Sequence, residues 1–243
     1  MTVVVYPDAR ALAVAVSRRV SGAIRRQPRL VLGLPTGRTP LPLYDELAIR
    51  AGRGTVDFSR VTTFNLDEFV GLTPDHPASY RAFMERHLFV RVGLPPGRAH
   101  VPDGSASDLD RECARYERAV RRAGGIDLLV LGLGLNGHIG FNEPGPALAA
   151  WTHRVRLSPQ TRRANRGLFG GRPGLVPREG LTMGVATILQ ARRILLMATG
   201  RAKAPVVRRL LRGPVTTWLP ASFLHLHGRV EVLLDRAAAR QLV

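Results

Sequence analysis

Apolar residues along the chain fall into two alternating patterns. Short unbroken apolar runs predict buried strands, at residues 2–6, 29–35, 60–66, 126–134, 192–200 and 229–235. Apolar positions spaced for one face of a helix lie between them, at residues 8–26, 41–52, 78–92, 108–124 and 201–213. This alternation indicates an α/β fold with an open, mostly parallel (Rossmann-like) sheet and helices on both faces.

The regular alternation and the composition favour one domain over residues 1–243. A hydrophobic content of 45% in 243 residues is enough for one large core. The least structured segment, residues 167–180, is rich in Gly and Pro and is either an ordinary connection or a mobile lid. The single Cys113 excludes an internal disulfide framework and fits a reducing cytoplasm. We expect no signal peptide and no transmembrane helix, because neither type of apolar segment is present.

The formal net charge of +18 changes this picture little. The basic residues occur as scattered pairs within predicted helices, which is typical of solvated helix faces, and aromatic residues are only 6% of the chain. Both features disfavour a nucleic acid as the main partner. A positive field would still attract a small anionic substrate such as a sugar phosphate.

Unusual polar residues follow three of the predicted strands, at residues 33–40, 64–72 and 134–145. Ligands of an open parallel sheet bind beyond the carboxyl ends of its strands. We therefore expect the three loops to meet at one edge of the sheet and to form the functional site there.

The first loop, "GLPTGRTP", lies between a strand and a helix. Its backbone N–H groups and the hydroxyls of Thr36 and Thr39 are suited to a phosphate, and Gly37 allows close approach of the backbone. The alternative is a helix start with a Thr as N-cap. In the third loop, "GLGLNG" matches G-x-G-x-x-G, but no acidic residue follows at the required offset and Pro144 and Pro146 prevent a long helix. A dinucleotide site is therefore not expected.

The second and third loops carry candidate acid–base groups. Asp67 and Glu68 are adjacent just past a strand, so one carboxylate can face the cleft while the other caps or pairs. The alternative is two solvated loop acids. His138 and Glu143 form a possible proton-shuttling pair, in which the carboxylate favours the protonated imidazole. No Cys or nearby second His supports a zinc site.

Six segments together resemble the glucosamine-6-phosphate deaminases of the glucosamine/galactosamine-6-phosphate isomerase family, over nearly the whole chain. They are LGLPTGRTP (32–40), TFNLDEFVGL (63–72), SYRAFM (79–84), GLGLNGHIGFNEPG (132–145), VPREGLTMGVATIL (176–189) and LPASFLHLH (219–227). The related 6-phosphogluconolactonases share the fold but lack the FNEPG continuation.

The resemblance implies a reaction and a set of catalytic residues. Glucosamine 6-phosphate and water would give fructose 6-phosphate and ammonia, with no cofactor or metal, in what is formally a hydrolase reaction. Asp67 would move a proton from the second carbon of the sugar to the first, and His138 would assist ring opening. Glu143 and Asn136 would orient His138. Some relatives carry Asp at position 136, so with Asn the proton affinity of His138 should depend mainly on Glu143.

The resemblance also implies a phosphate site, from which this sequence departs in part. Thr36, Gly37, Thr39 and Lys203 match the family's phosphate-holding positions. Arg38 stands where relatives often have Gly or Ser, and either adds a phosphate contact or crowds the loop. The family's lid arginine aligns with Gly167, and a one-residue shift would let Arg166 replace it. The short C-terminal region argues against activation by N-acetylglucosamine 6-phosphate.

The expected partner is therefore a small-molecule hexosamine 6-phosphate, and assembly into a homo-oligomer stays open. Two other functions remain to be tested against this one. One is lactone hydrolysis, as in the 6-phosphogluconolactonases. The other is a sugar-phosphate-sensing module that binds without turnover.

Overall fold

The structure is a computed structural model that describes residues 1–242, and all counts below refer to those residues. Its ten strands are β1 Thr2–Tyr6, β2 Val31–Leu34, β3 Thr62–Asn65, β4 Asp67–Phe69, β5 Ala99–His100, β6 Leu128–Gly132, β7 His153–Arg156, β8 Glu179–Thr182, β9 Ile194–Ala198 and β10 Val230–Asp235. Its α-helices are α1 Ala9–Arg26, α2 Leu41–Gly52, α3 Tyr80–Met84, α4 Leu109–Arg122, α5 Pro159–Asn165, α6 Val185–Leu189, α7 Ala204–Arg212 and α8 Arg236–Ala239.

Seven strands form a parallel sheet in the order β1-β10-β9-β6-β2-β3-β5. The six strands predicted from apolar runs all belong to it, which confirms the predicted fold class. The predicted helix at 78–92 is α-helical only as far as Met84. It continues as a π-helical turn, Glu85–Phe89, and a 3₁₀ turn, Val90–Val92.

Both faces of this sheet are covered by apolar clusters. Along β6, Leu128 and Val130 belong to the cluster beneath α1 and α2, while Leu129 and Leu131 belong to the cluster beneath α4 and α7. Alternate residues of a strand point to opposite faces, so an unbroken apolar run is what a sheet covered on both sides requires. The run of apolar residues in β6 is therefore explained by its position in the centre of the sheet, where helices cover both faces.

Local sequence also fixes the start of α1. Asp8 is its N-cap, and Oδ1 of Asp8 accepts a hydrogen bond from the Ala11 amide at 2.8 Å. Leu12, Val16 and Val20 recur every four residues and are fully buried against the sheet. A capping side chain and a stripe of this spacing are the two local signals of an amphipathic helix.

A second, three-stranded antiparallel sheet, β4-β8-β7, was not predicted. Its strands have three or four residues each, and Val155 is the one apolar residue of His153–Arg156. Such short segments give no long apolar run and are recognisable only once their partners are known. The chain passes directly from the large sheet into this one, because Leu66 alone separates β3 from β4.

The order of the strands creates a cleft beside β2. From β2 the chain proceeds outward through β3 to β5, then returns to β6 on the other side of β2 and proceeds outward again through β9. Loops at such a switch point diverge and leave a crevice at the carboxyl ends of the strands. The three loops singled out in the sequence follow β2, β3 and β6, which are adjacent and parallel. The prediction that they share one edge of the sheet is confirmed. Within the described chain, no helix is both long and apolar enough to cross a membrane.

Candidate active site

The strand β8 joins the loop after β3 to the loop after β6. Asp67 in β4 pairs with Thr182 in β8, and the Thr182 hydroxyl accepts a hydrogen bond from the Phe141 amide at 3.0 Å. The Met183 amide donates to the Leu66 carbonyl at 2.7 Å. The segment that carries His138 is thus attached beside the strand that carries Asp67.

Asp67 lies at the first position of β4 with only 6% of its surface exposed. Its Oδ1 atom is buried and has no hydrogen-bond partner among the described residues. Burial raises the pKa of Asp67 to about 8, and the neighbouring Glu68 carboxylate adds to the increase. A buried carboxylate with a raised pKa has the properties of a general base.

Glu68 points away from Asp67 and caps α3. Its Oε1 accepts hydrogen bonds from the amides of Phe69, at 2.7 Å, and Tyr80, at 2.9 Å, and its Oε2 accepts one from Arg81 at 2.9 Å. Burial raises the pKa of Glu68 to about 7, and these three N–H groups oppose the increase. The predicted division of labour, in which one carboxylate faces the cleft and the other caps, agrees with this geometry. The alternative of two solvated acids is wrong, since both are buried.

Asn136, His138 and Glu143 form one hydrogen-bonded group. The Asn136 amide donates to Glu143 Oε2 at 2.7 Å, and Asn136 Oδ1 accepts from the His138 backbone N–H at 3.2 Å. Glu143 Oε2 lies 3.8 Å from His138 Nδ1. Gly134 leaves room for the ring, because a Cβ there would lie 2.4 Å from imidazole atoms. Within "GLGLNG", Gly134 thus accommodates a histidine rather than a nucleotide.

His138 is neutral at physiological pH, contrary to the expectation from its carboxylate neighbour. Burial lowers the pKa of His138 to about 4. The Glu143 carboxylate raises this pKa and the Lys203 ammonium lowers it, but both effects are smaller than that of burial. Among the charged neighbours Glu143 has the largest effect on the proton affinity of His138, as expected with Asn at position 136, but burial has a larger effect than either charge. The free energy lost when water is removed from the imidazolium is larger than the free energy gained from one carboxylate at 3.8 Å.

Two residues of this group were missed in the sequence, Ser158 and Thr161. The Ser158 amide donates to Glu143 Oε1 at 3.1 Å, and the Thr161 hydroxyl lies 3.4 Å from His138 Nδ1. Ser158 also caps α5, accepting from the Thr161 amide at 3.1 Å. A Ser followed by Pro159 is a recognisable helix start. Only the tertiary fold brings that helix start against the loop after β6.

The first loop has the backbone expected of an anion-binding turn. Gly37 has φ +94°, a left-handed conformation that favours glycine. Pro40 is the N-cap of α2, and no side chain of the described residues caps that helix. The alternative interpretation, with a Thr as N-cap, is therefore wrong. The hydroxyls of Thr36 and Thr39 are not used for capping α2.

Lys203 connects the first loop with the third. Its ammonium donates a hydrogen bond to the carbonyl of Leu133, directly after β6, and its charge acts on His138. Burial, and to a smaller extent the charge of Arg38, lowers the pKa of Lys203 to about 8. An anion bound between these two cations would offset the repulsion that Arg38 exerts on Lys203. Lys203 and Arg38 therefore form a candidate phosphate site at the mouth of the cleft.

Arg166 is not joined to the other candidate residues. It is exposed at the end of α5, where a 3₁₀ turn, Arg166–Phe169, begins, and its side chain makes no hydrogen bond or ion pair within the part of the chain that the structure describes. The segment after it is packed, since Phe169 meets Phe69 edge-on at 5.5 Å and Val176 is buried. Before it, Asn165 accepts a hydrogen bond from the Tyr80 hydroxyl at 3.0 Å.

Within the described residues, no group of three or more His, Cys, Asp or Glu side chains is placed to hold a metal ion. The one cysteine, Cys113, is buried in α4, and burial raises the pKa of its thiol to about 11. A buried thiol with a raised pKa is unreactive, so Cys113 contributes to packing.

Comparison with known proteins gives consistent results. Residues 8–233 match the family model described as glucosamine-6-phosphate isomerases/6-phosphogluconolactonase. A glucosamine-6-phosphate deaminase from Arthrobacter sp. strain FB24 is 48% identical over 242 residues, which cover 100% of this chain and 93% of the relative. A solved structure described as a monomeric glucosamine-6-phosphate deaminase superposes with a TM-score of 0.96 at 43% identity, over 99% of this chain and 100% of the other. A 6-phosphogluconolactonase from Thermotoga maritima has a TM-score of 0.75 at 22% identity, over 96% and 98% of the two chains, and so shares the fold.

Proposed function

The chain belongs to the glucosamine-6-phosphate isomerase/6-phosphogluconolactonase family, and on that premise we propose that it is a glucosamine-6-phosphate deaminase. It converts glucosamine 6-phosphate and water into fructose 6-phosphate and ammonia. One observation carries the proposal: Asp67, a buried carboxylate with a raised pKa, lies beside the loop of a neutral His138. We propose further that residues 1–243 act as one domain, as the match over residues 8–233 supports.

Ring opening is the first step. His138 is neutral and can accept the proton of the anomeric hydroxyl and return it to the ring oxygen, so that the ring C–O bond breaks and the first carbon becomes an aldehyde. Thr161 and Glu143 face Nδ1 of the imidazole and hold the ring in one orientation. Asn136 in turn holds Glu143, and this chain of contacts supports a positioning role for both residues.

Asp67 performs the isomerisation. Its carboxylate removes the proton from the second carbon, and the electron pair moves toward the aldehyde to give an enolamine. The same group then delivers a proton to the first carbon, which leaves an imine at the second. A base that must both remove and return a proton is most effective when its pKa is near the working pH, and the pKa of about 8 meets that condition.

Release of ammonia completes the reaction. Water adds to the imine carbon, the C–N bond breaks, and the second carbon becomes the ketone of fructose 6-phosphate. The net reaction is a hydrolysis, because water is consumed and a C–N bond is cleaved. We therefore classify the enzyme as an isomerising deaminase whose net reaction is hydrolytic. The substrate supplies every atom besides water.

The phosphate is held at the other end of the substrate. We assign this role to Lys203 and to the first loop, in which Thr36, Gly37, Arg38 and Thr39 supply hydroxyl, backbone and guanidinium donors. Arg166 is assigned to the same site on the resemblance alone, and it would need to move from its exposed position. Binding energy from a remote phosphate orients the reacting carbons.

An ammonia-release assay tests the proposal. The unaltered chain is incubated with a panel of hexosamine 6-phosphates and, separately, with 6-phosphogluconolactone. We expect ammonia and fructose 6-phosphate from glucosamine 6-phosphate, and a loss of about a hundredfold to ten-thousandfold in kcat for Asp67→Asn. Lactone hydrolysis without ammonia release would make the chain a lactonase. Ligand-induced thermal stabilisation without any product would make it a sensing module.

A further inference from the structure

Three buried polar side chains follow one another at alternate positions of β3 and β4: Thr63, Asn65 and Asp67. Thr63 and Asn65 are fully buried, and Asp67 is 6% exposed. Phe64 and Leu66 between them belong to the cluster on the opposite face, so the three polar groups share one side of the chain. The column runs from Asp67 at the cleft into the interior.

Each of these three residues has an oxygen without a partner. Thr63 Oγ1, Asn65 Oδ1 and Asp67 Oδ1 are buried and accept or donate no hydrogen bond within residues 1–242. The Asn65 Nδ2 group donates to the Leu34 carbonyl at 3.1 Å, which leaves its Oδ1 as the free acceptor. Buried oxygens are nearly always satisfied, so three in a row call for a common explanation.

A buried water between neighbouring members of the column meets this requirement. Side chains two residues apart on an extended chain start about 6.6 Å apart, and a water that donates one hydrogen bond to each of two oxygens joins oxygens about 4.5 Å apart. Asn65 Oδ1 and ionised Asp67 Oδ1 are both acceptors. A water has two hydrogens and can donate one to each, whereas no direct hydrogen bond between two acceptors is available.

We propose that Asn65 is a positioning residue for Asp67, and that it acts through a buried water that donates to both side chains. Asn65 does not touch substrate. The water fixes one oxygen of the carboxylate and leaves the other for the reacting carbons. The catalytic role of Asn65 rests on the proposed function. The water-mediated contact between Asn65 and Asp67 does not depend on that function.

The charged and titratable groups around Asp67 make a hydrogen bond from the proposed water to its carboxylate important. The Asp67 carboxylate interacts electrostatically with four titratable groups. They are Glu68 beside it, Tyr44 on α2, Tyr80 on α3 and Tyr116 on α4. Glu68 raises the pKa of Asp67, and the pKa of each buried tyrosine is raised as well, mainly by burial. No cation is among these groups. A water that donates to the carboxylate is therefore expected to favour its ionised, basic form.

A titration without substrate tests this role. The protein is labelled with ¹³C-carboxyl aspartate, and the Asp67 signal is identified by its loss in Asp67→Asn. Asn65→Leu has nearly the same volume, but it excludes the water and supplies no oxygen. We expect it to raise the Asp67 midpoint by about one pH unit. Asn65→Ser retains an oxygen and leaves space for water, so its midpoint should stay close to that of the unaltered protein.

Ser21→Ala is the matched control, because it also removes a buried hydroxyl without a partner, on α1. It should leave the midpoint unchanged. Equal midpoints in the unaltered protein and Asn65→Leu would overturn the inference, whatever reaction the enzyme catalyses. If the protein is active, the acid limb of kcat/KM in Asn65→Leu should move with the midpoint, while KM changes little.

A high-resolution crystal structure of the unaltered protein gives a test that does not depend on any variant folding. We expect one water within hydrogen-bond distance of both Asn65 Oδ1 and Asp67 Oδ1. Well-defined density that lacks a water at that position would overturn the inference, even if Asn65→Leu failed to fold.

Discussion

Replacing Asp67 by Asn should stabilise the fold at alkaline pH while it removes the proposed base. The pKa of Asp67 rises from 3.8 to about 8 on folding, so the folded state holds this proton more tightly than the unfolded chain does. The free energy of unfolding therefore falls as pH rises from about 4 to about 8. The difference between the two pKa values, at about 1.4 kcal/mol for each pH unit, corresponds to a loss of about 6 kcal/mol. The asparagine side chain of the variant is neutral at every pH and avoids this loss.

Urea denaturation of both proteins at about pH 4, 7 and 9 measures the effect. The two should be nearly equally stable at the lowest pH, and the variant should gain an advantage that grows to about 6 kcal/mol at the highest. Asp45→Asn controls for the loss of one negative charge, because the Asp45 side chain is 59% exposed. A stability difference that stays constant over this range would refute the assignment of a buried, protonated Asp67.

Three further predictions concern the same site. The kcat/KM should rise with pH up to about 8, because only ionised Asp67 is a base. At pH 7 kcat/KM should be about a tenth of its maximum. A flat profile between about pH 6 and 9 would contradict this prediction. Lys203→Met should raise KM about tenfold or more with a smaller change in kcat, whereas Arg201→Met, on the same turn but exposed, should behave as the unaltered enzyme in steady-state assays. Ser158→Ala should cost about 1 kcal/mol of unfolding free energy and also lower kcat. Asp108→Ala, which removes an equivalent cap from α4, should lower stability alone. Equal kcat values for the two variants would show that the α5 cap does not position the site.

The sequence by itself determined the large sheet, its helices and the position of the cleft. Apolar runs and helical spacing are local signals, and Asp8 and the stripe beginning at Leu12 act within one turn or one face of α1. The parallel direction of the strands then followed from their unbroken apolar character, and with it the common edge of the three loops. The family resemblance rested on the same loops, which is why Asp67 and His138 could be named before any coordinates.

Only the tertiary structure decided the small antiparallel sheet and the environment of each group. Glu68 caps a helix that starts twelve residues later, and Glu143 is held by the Ser158 amide fifteen residues away. The neutral state of His138 and the raised pKa of Asp67 depend on how much water the folded chain excludes around them. Desolvation and hydrogen bonds between distant segments are properties of packing, and packing is not encoded in any single stretch of the sequence.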